Sequence, residues 1–399
     1  MRAQTSMTLQ CAHVVMIAML VACGAPSPPR LSSAPLEPSW SSPYRPRLPA
    51  PADTNSPDAY EIWGRAKIAY APDSAAAAFY WASRLDPWRP APYYERGIAL
   101  LLTHAERPET GEFMFPWAMT KALSAAEVAL VDSLNQLAML RDPFMERSLD
   151  GFLSGTPPHT VVYRMRDAAQ RGFWEFAIGA YDSAVVDLGK ALRKKPELAG
   201  MRTVRAVAFY YLKQFDSTAA ELQTVLKRLE MREQKQTVLF YRSKAMMQYA
   251  LAIALVQKDD PRAREHFEAA LVEDLSFYMA RVRLAGISLA RADTVAAIAS
   301  LAQAVELKDD DAALQYFYGV LLRNRDRAAA TSALRRAVEL APEFAPPHMQ
   351  LALLADVRGD TAAAIAAYDR FIALSSNSTS DIDVARARRQ ALTRSAVPR

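Results

Sequence analysis

The sequence predicts an all-α chain built as a solenoid of helical hairpins. Three observations carry that prediction. Small residues recur at an almost constant interval, at Ala252, Gly286, Gly319 and Ala352. After each comes a triplet spaced i, i+4, i+7, as in Ala330-x3-Leu334-x2-Ala337, which marks one face of a second helix. The composition also suits helix, with 13 glycines in 399 residues, abundant alanine and few β-branched runs. At 51% hydrophobic residues, the chain has the apolar surface that an extensive core needs.

The N-terminus is of a different kind. Arg2 is the only charged side chain before Cys23, and Ala12–Ala22 is apolar apart from His13. That run is shorter than the ~20 residues of a membrane-spanning helix, so residues 1–22 read as a secretion signal. The run ends Leu20-Val21-Ala22-Cys23-Gly24, which resembles the lipobox of bacterial lipoproteins. The resemblance implies diacylglycerol on Cys23, cleavage before it and acylation of its new amino group. Gly24, where many lipoproteins retained at the inner membrane carry aspartate, favours an outer membrane facing the periplasm. An ordinary signal with a chance cysteine is the alternative. Ten of the chain's 25 prolines then fall between 26 and 57. Such density forbids helix and sheet and favours polyproline II. Residues 23–56 are therefore expected to be a disordered tether between a lipidated Cys23 and the folded body.

The repeats are expected over 57–376. Tyr60-x2-Trp63-Gly64-x2-Lys67 is a first helix, and Ala75-x3-Phe79-x2-Ala82 is a second, closed by Pro87. Tyr93-x2-Arg96-Gly97-x2-Leu100 opens the next unit, with Gly97 one period after Gly64. Gly172 pairs with Ala184-x3-Leu188-x2-Ala191, and Ala206 follows one period later with Thr218-x3-Leu222-x2-Val225. Ala263-x3-Phe267-x2-Ala270, Ala297-x3-Leu301-x2-Ala304 and Ala364-x3-Tyr368-x2-Phe371 continue the series. Each small residue is expected where another helix comes close.

Two stretches break the register. Gly97 and Gly172 stand further apart than two periods, so residues 103–165 hold an irregular insertion. A helix is expected from Ser124 to Arg141, with Ser124 and Glu127 forming a capping box and Asp142-Pro143 stopping it. The interval from Ala206 to Ala252 also exceeds one period, and the charged run Lys227–Lys244 reads as helix extension around a turn near Glu233–Gln236. After the polar break Ser375–Ser380, residues 377–399 are expected to hold a capping helix and tail, with Ile382, Ala385, Arg389 and Leu392 on one side.

The helix–turn–helix period of about 34 residues resembles the tetratricopeptide repeat. That resemblance implies a right-handed solenoid of about eight units, whose concave face is lined mainly by first helices and holds a partner protein or peptide. The corresponding positions are Tyr94, Ile98, Thr203, Val207, Arg283, Ile287, Tyr316 and Val320, with packing inside the solenoid as the alternative for any one of them. Only Arg283 among them is charged, so the lysine–asparagine–arginine clamp of relatives that hold peptide C-termini is not supported. An apolar, aromatic lining suits an amphipathic helix or an extended segment. Phe113, Phe115 and Trp117, in the insertion, are candidates for partner-specific contact, because loops on a rigid scaffold carry function, and a loop folded back over the apolar solenoid surface is the alternative.

Chemistry is not written into the sequence. The histidines at 13, 104, 159, 266 and 348 form no H-E-x-x-H pattern, and neither a P-loop, a G-x-S-x-G elbow nor a dinucleotide fingerprint occurs. Asp259-Asp260 and Asp309-Asp310-Asp311 sit where helices begin, as caps. A net charge of +5, or +4 without Arg2, is too small and too well mixed to argue for nucleic acid. The expectation is therefore a membrane-anchored interaction scaffold of the bacterial envelope, with no enzyme activity, no cofactor and no metal. A small-ligand binder, or an enzyme with its site in the 103–165 insertion, is the alternative.

Overall fold

The computed structural model describes residues 44–68, 70–103, 124–145, 167–177, 179–231, 244–377 and 380–396. The expected signal, Cys23, the aromatic residues Phe113, Phe115 and Trp117, and the turn near Glu233–Gln236 lie outside them. Among the described residues there are seventeen helices. Eight hairpins run α1 (Pro57–Lys67) with α2 (Pro72–Leu85), α3 (Ala91–Thr103) with α4 (Ala125–Arg141), α5 (Ala168–Ala177) with α6 (Tyr181–Lys194), and α7 (Ala199–Tyr211) with α8 (Phe215–Met231). They continue with α9 (Lys244–Val256) and α10 (Arg262–Glu273), α11 (Tyr278–Ala290) and α12 (Thr294–Leu307), α13 (Ala312–Leu322) and α14 (Arg327–Leu340), and α15 (Ala345–Val357) and α16 (Thr361–Leu374). The helix α17 (Ile382–Ala396) packs on α16 and closes the series.

The sequence triplets are the cores of these hairpins. Every member of the seven quoted triplets, from Ala75, Phe79 and Ala82 to Ala364, Tyr368 and Phe371, is buried. α4 obeys the same spacing with Leu130, Leu134 and Leu137, also buried, so the irregular region contains a regular second helix. Short acidic turns start several helices. Asp293 accepts from the Ala296 amide, Asp311 from Ala313 and Leu314, Asp326 from Ala328 and Ala329, and Asp360 from Ala363. The Ser124–Glu127 capping box forms as the spacing predicts.

The described residues divide into two compact units, one with 68–72 and 97–280, the other with 44–67, 73–96 and 281–396. In the first, each helix from α5 to α10 packs on its neighbours in sequence, and the first helices α5 and α7 also touch directly. The end of α4 is built into this array. Phe144 is fully buried and stacks on Tyr210 at 3.8 Å, Tyr211 donates its hydroxyl proton to the Phe144 carbonyl, and Tyr249 donates to the Leu140 carbonyl at 2.8 Å.

In the second unit, α12 to α17 stack in sequence. The hairpin α1–α2 belongs to the same unit. Within it, Gly64 faces the Phe79 ring so closely that an added Cβ would lie 2.7 Å from it. The expected tether is packed from residue 44 onward, which moves its boundary. Leu48 is buried with Tyr60, Ala78, Ala82 and Leu85. Arg45 donates to the Tyr60 hydroxyl at 2.9 Å and lies 4.8 Å from the Trp81 ring centroid. Proline excludes helix here, but it leaves the extended chain free to lie along an apolar surface. Asn55 then donates to the Ala373 and Ser375 carbonyls, at 2.9 and 3.2 Å, and Asp53 accepts from the Ser376 hydroxyl and the Asn377 amide.

One expectation about the small residues fails. A Cβ on Gly319 would meet Leu334 at 2.7 Å, and one on Gly172 would meet Leu188 at 2.7 Å, as close crossings require. Gly286 is exposed, and a Cβ there would meet nothing within 4 Å. Its place in the repeat series does not coincide with a close helix contact.

Candidate interaction face on the first helices

The first helices present the candidate residues unequally. Thr203 and Val207 are fully buried on α7 and so take the alternative of packing inside the solenoid. They lie in an array where the first helices α5 and α7 pack directly on one another, so this part of the face is interior. In the second unit, Tyr94 on α3, Arg283 and Ile287 on α11, and Tyr316 and Val320 on α13 are partly exposed, as is Ile98 in the first.

α13 brings an aromatic run to this face. Asp311, itself buried, fixes the start of the helix, and Gly319 lets its other side close on Leu334. Tyr316 packs on Phe344 with ring centroids 5.3 Å apart and on Phe317 at 5.5 Å. Burial pushes its phenol pKa up. The residue that the spacing missed is Phe317. Its ring is met edge-on by Trp88 at 4.9 Å and 86°. The Arg283 guanidinium lies 5.7 Å from the Trp88 ring centroid. No sequence signal pairs position 88 with 283 or 317, because the contact joins the turn after the first hairpin to repeats far later in the chain.

That turn is rigidly made. Asp86 accepts from the Trp88 amide at 3.2 Å and from Arg89 Nε at 3.0 Å, and the Pro87 carbonyl accepts from the Tyr93 hydroxyl at 3.1 Å. Arg89 also pairs with Asp58 and, at 3.0 Å, with Glu61. Burial works against the Arg89 charge, but its bonds to Asp58, Glu61 and Asp86 outweigh it and raise its pKa. Arg65 joins Glu61 to Glu95 in the same network. Arg84 reaches the other way and donates to the Leu340 carbonyl at 2.8 Å and to Glu343 at 3.1 and 3.2 Å.

The helix pairs resemble tetratricopeptide hairpins in arrangement. Their second-helix triplets are buried and consecutive helices stack, as in a helix–turn–helix repeat of about 34 residues. No protein-family model matches the sequence, and neither does a curated protein. Among solved structures, the chain is similar to the C-terminal part of a TPR repeat-containing protein from Cytophaga hutchinsonii, at 19% identity over 52% of this chain and 78% of that one, with a TM-score of 0.44. It is similar to pilF of Pseudomonas aeruginosa at 18% identity over 55% and 96% of the two chains, with a TM-score of 0.43. It is also similar to yeast Tom70 at 14% identity over 89% and 68%, with a TM-score of 0.43.

Other charged clusters serve the repeats themselves. Asp187 is held below the usual carboxylate range by Arg171 Nε at 2.5 Å and by Lys190 at 2.6 Å. Glu175 beside them is pushed up by burial and by the Asp187 charge. Among the described residues, no group of three His, Cys, Asp or Glu side chains is placed to hold a metal ion, and no helix is long and apolar enough to cross a membrane.

Proposed function

We propose that the chain is a protein-interaction scaffold of a bacterial envelope, anchored by lipid on Cys23, and that it binds a protein or peptide partner along the first-helix face. The observation that carries the binding reading is the seat of Trp88. The α11 and α13 side chains accommodate an aromatic residue presented by a turn, as a peptide-binding face does. Tyr94 and Val320 extend partly exposed positions on the same class of helix. The anchoring part rests on Leu20-Val21-Ala22-Cys23 alone.

Photo-crosslinking in cells tests the binding reading. A photoreactive residue at position 94 or 320 is compared with one at Val272 or Val295, which are exposed on second helices. The expected result is the same protein adduct from the two first-helix positions and none from the second-helix ones. Equal adducts from both sets, or none from either, overturns the assignment of the face.

A further inference from the structure

We infer that the α11–α13 face reads an arginine and an aromatic side chain carried four residues apart through a proline turn, and that this chain holds an internal ligand there, its own Arg84–Trp88 segment, which an outside segment of the same chemistry must displace. The inference rests on the interaction reading above and deepens it.

The ligand character of the segment comes from how it is held. Arg84 places one cation on the Leu340 carbonyl and the Glu343 carboxylate, and Trp88 places one ring between Phe317 and Arg283. Those acceptors and surfaces come from α11, α13, α14 and the turn after α14, so a short segment spans them in the manner of a groove-bound peptide. The turn between the two side chains is fixed by Asp86 and by Tyr93 before it meets the face, and such preorganisation lowers the entropy cost of docking. A ring beside a guanidinium and edge-on to a second ring is a recognition geometry that any Trp, Tyr or Phe can repeat.

The attachment is also of an exchangeable kind. The Arg84 and Glu343 side chains are 27% and 25% exposed, so water reaches both partners of the pair. Trp88 is half-buried. Two buried apolar clusters lie one on each side of this contact. Leu48, Tyr60, Ala78, Ala82 and Leu85 pack together on the hairpin side, and Ala312, Ala341 and Phe344 pack on the repeat side. The first unit supplies the contrast. There, Phe144 packs on a first helix too, but it is fully buried and stacked, as a permanent core residue is. The hairpin has its own core and is joined to the later repeats by a half-buried ring, by the Arg84 bonds and by the bonds of Asp53 and Asn55 to residues 373–377, so it opens by breaking polar contacts and one ring contact without unfolding the repeats. While it is seated, it lowers the apparent affinity of any competing segment by the fraction of time the face is open.

The test uses the full chain and a fluorescent synthetic peptide of residues 82–92, with the Trp88→Ala peptide as control. The Trp88→Ala chain is expected to bind the parent peptide at least tenfold more tightly than the wild-type chain does. The control peptide is expected to bind neither chain. Adding Phe317→Ala to the Trp88→Ala chain is expected to abolish binding. Equal affinity of wild-type and Trp88→Ala chains overturns the proposal, as does no binding to a Trp88→Ala chain that melts normally. Hydrogen exchange on the wild-type chain decides the matter if the variant does not fold. Amides of α1 and α2 are expected to exchange at least tenfold faster than those of α13 to α16, and equal protection shows one cooperative body and overturns the proposal. Failure here with first-helix crosslinks retained removes the internal ligand and leaves the interaction face standing.

Discussion

Two glycines at the same place in the repeat are expected to respond to the same substitution with opposite sign. Gly319 and Gly286 both lie inside first helices, one repeat apart. Replacing either by alanine gains helix propensity, about 0.5–1 kcal/mol. At Gly286 nothing opposes the gain, since the new Cβ meets no atom within 4 Å. At Gly319 the Cβ lands 2.7 Å from Leu334 Cγ, 3.1 Å from its Cδ2 and 3.2 Å from the Ala330 carbonyl oxygen. Leu334 is fully buried and the carbonyl belongs to helix backbone, so neither can retreat cheaply. Overpacking of that kind costs about 1–3 kcal/mol. Because the propensity gain is common to both variants, the difference between them isolates the overpacking cost. Urea unfolding followed by far-UV circular dichroism reads it. Gly286→Ala should raise the midpoint and Gly319→Ala should lower it. Gly97→Ala should fall between them, because its Cβ would meet only side chains, with Asn135 Oδ1 nearest at 3.0 Å. An equal rise for Gly319→Ala and Gly286→Ala refutes the close-crossing account.

Three further outcomes are expected. Burial lowers the pKa of His348 and of His266 from 6.5, so the unfolded chain takes up protons that the folded chain refuses. Their contribution to stability is complete above the unfolded value and is lost as pH falls below it, and His348→Gln should flatten that acid slope in urea midpoints measured at successive pH values. Asp326→Ala removes the acceptor for the Ala328 and Ala329 amides and should cost about 0.5–2 kcal/mol, read by the same unfolding. Under the proposed anchor, the wild-type chain should fractionate with membranes and carry lipid on its N-terminal peptide by intact mass, and Cys23→Ser should do neither; an unlipidated wild-type chain in the soluble fraction refutes the anchor.

The hairpins were legible because their physics is local. A buried triplet at i, i+4, i+7 and an acidic cap are short-range patterns, and Ala297, Leu301 and Ala304 after the Asp293 cap show both within one short stretch. α4 was legible at its start through Ser124 and Glu127, although its core triplet of leucines does not carry the small residues that mark the other repeats. The face was only half legible. Arg283 and Tyr316 follow from the repeat spacing, but which side chain of a first helix is covered depends on what crosses it. Thr203 is interior and Phe317 meets Trp88, because elements apart in sequence are brought together there. Gly286 shows the same limit from the other side, since the spacing names the position and the neighbouring helix decides whether it is crowded.

The packed segment from residue 44 changes what a tether can do. Composition assigned 23–56 to it as one stretch, because prolines are spread across that range, and composition does not show that 44–56 pack on the body. Leu48 in the hairpin core and the bonds of Asp53 and Asn55 to residues 373–377 make the last part of that stretch a strap across the second unit. A lipid on Cys23 would then be separated from the body by the residues up to Tyr44 and no more. Such a stretch at full extension spans at most roughly 70–75 Å, so this is the upper bound on reach from the anchor to the strap. The strap also fixes the position of residues 44 and 45. Arg45 is held between Tyr60, the Thr54 carbonyl and the Trp81 ring, and Tyr44 bonds to Ser74, so residue 44 lies beside the first hairpin. That hairpin leads directly into Trp88. Any anchor that precedes residue 44 would therefore join the body next to the hairpin that carries Trp88.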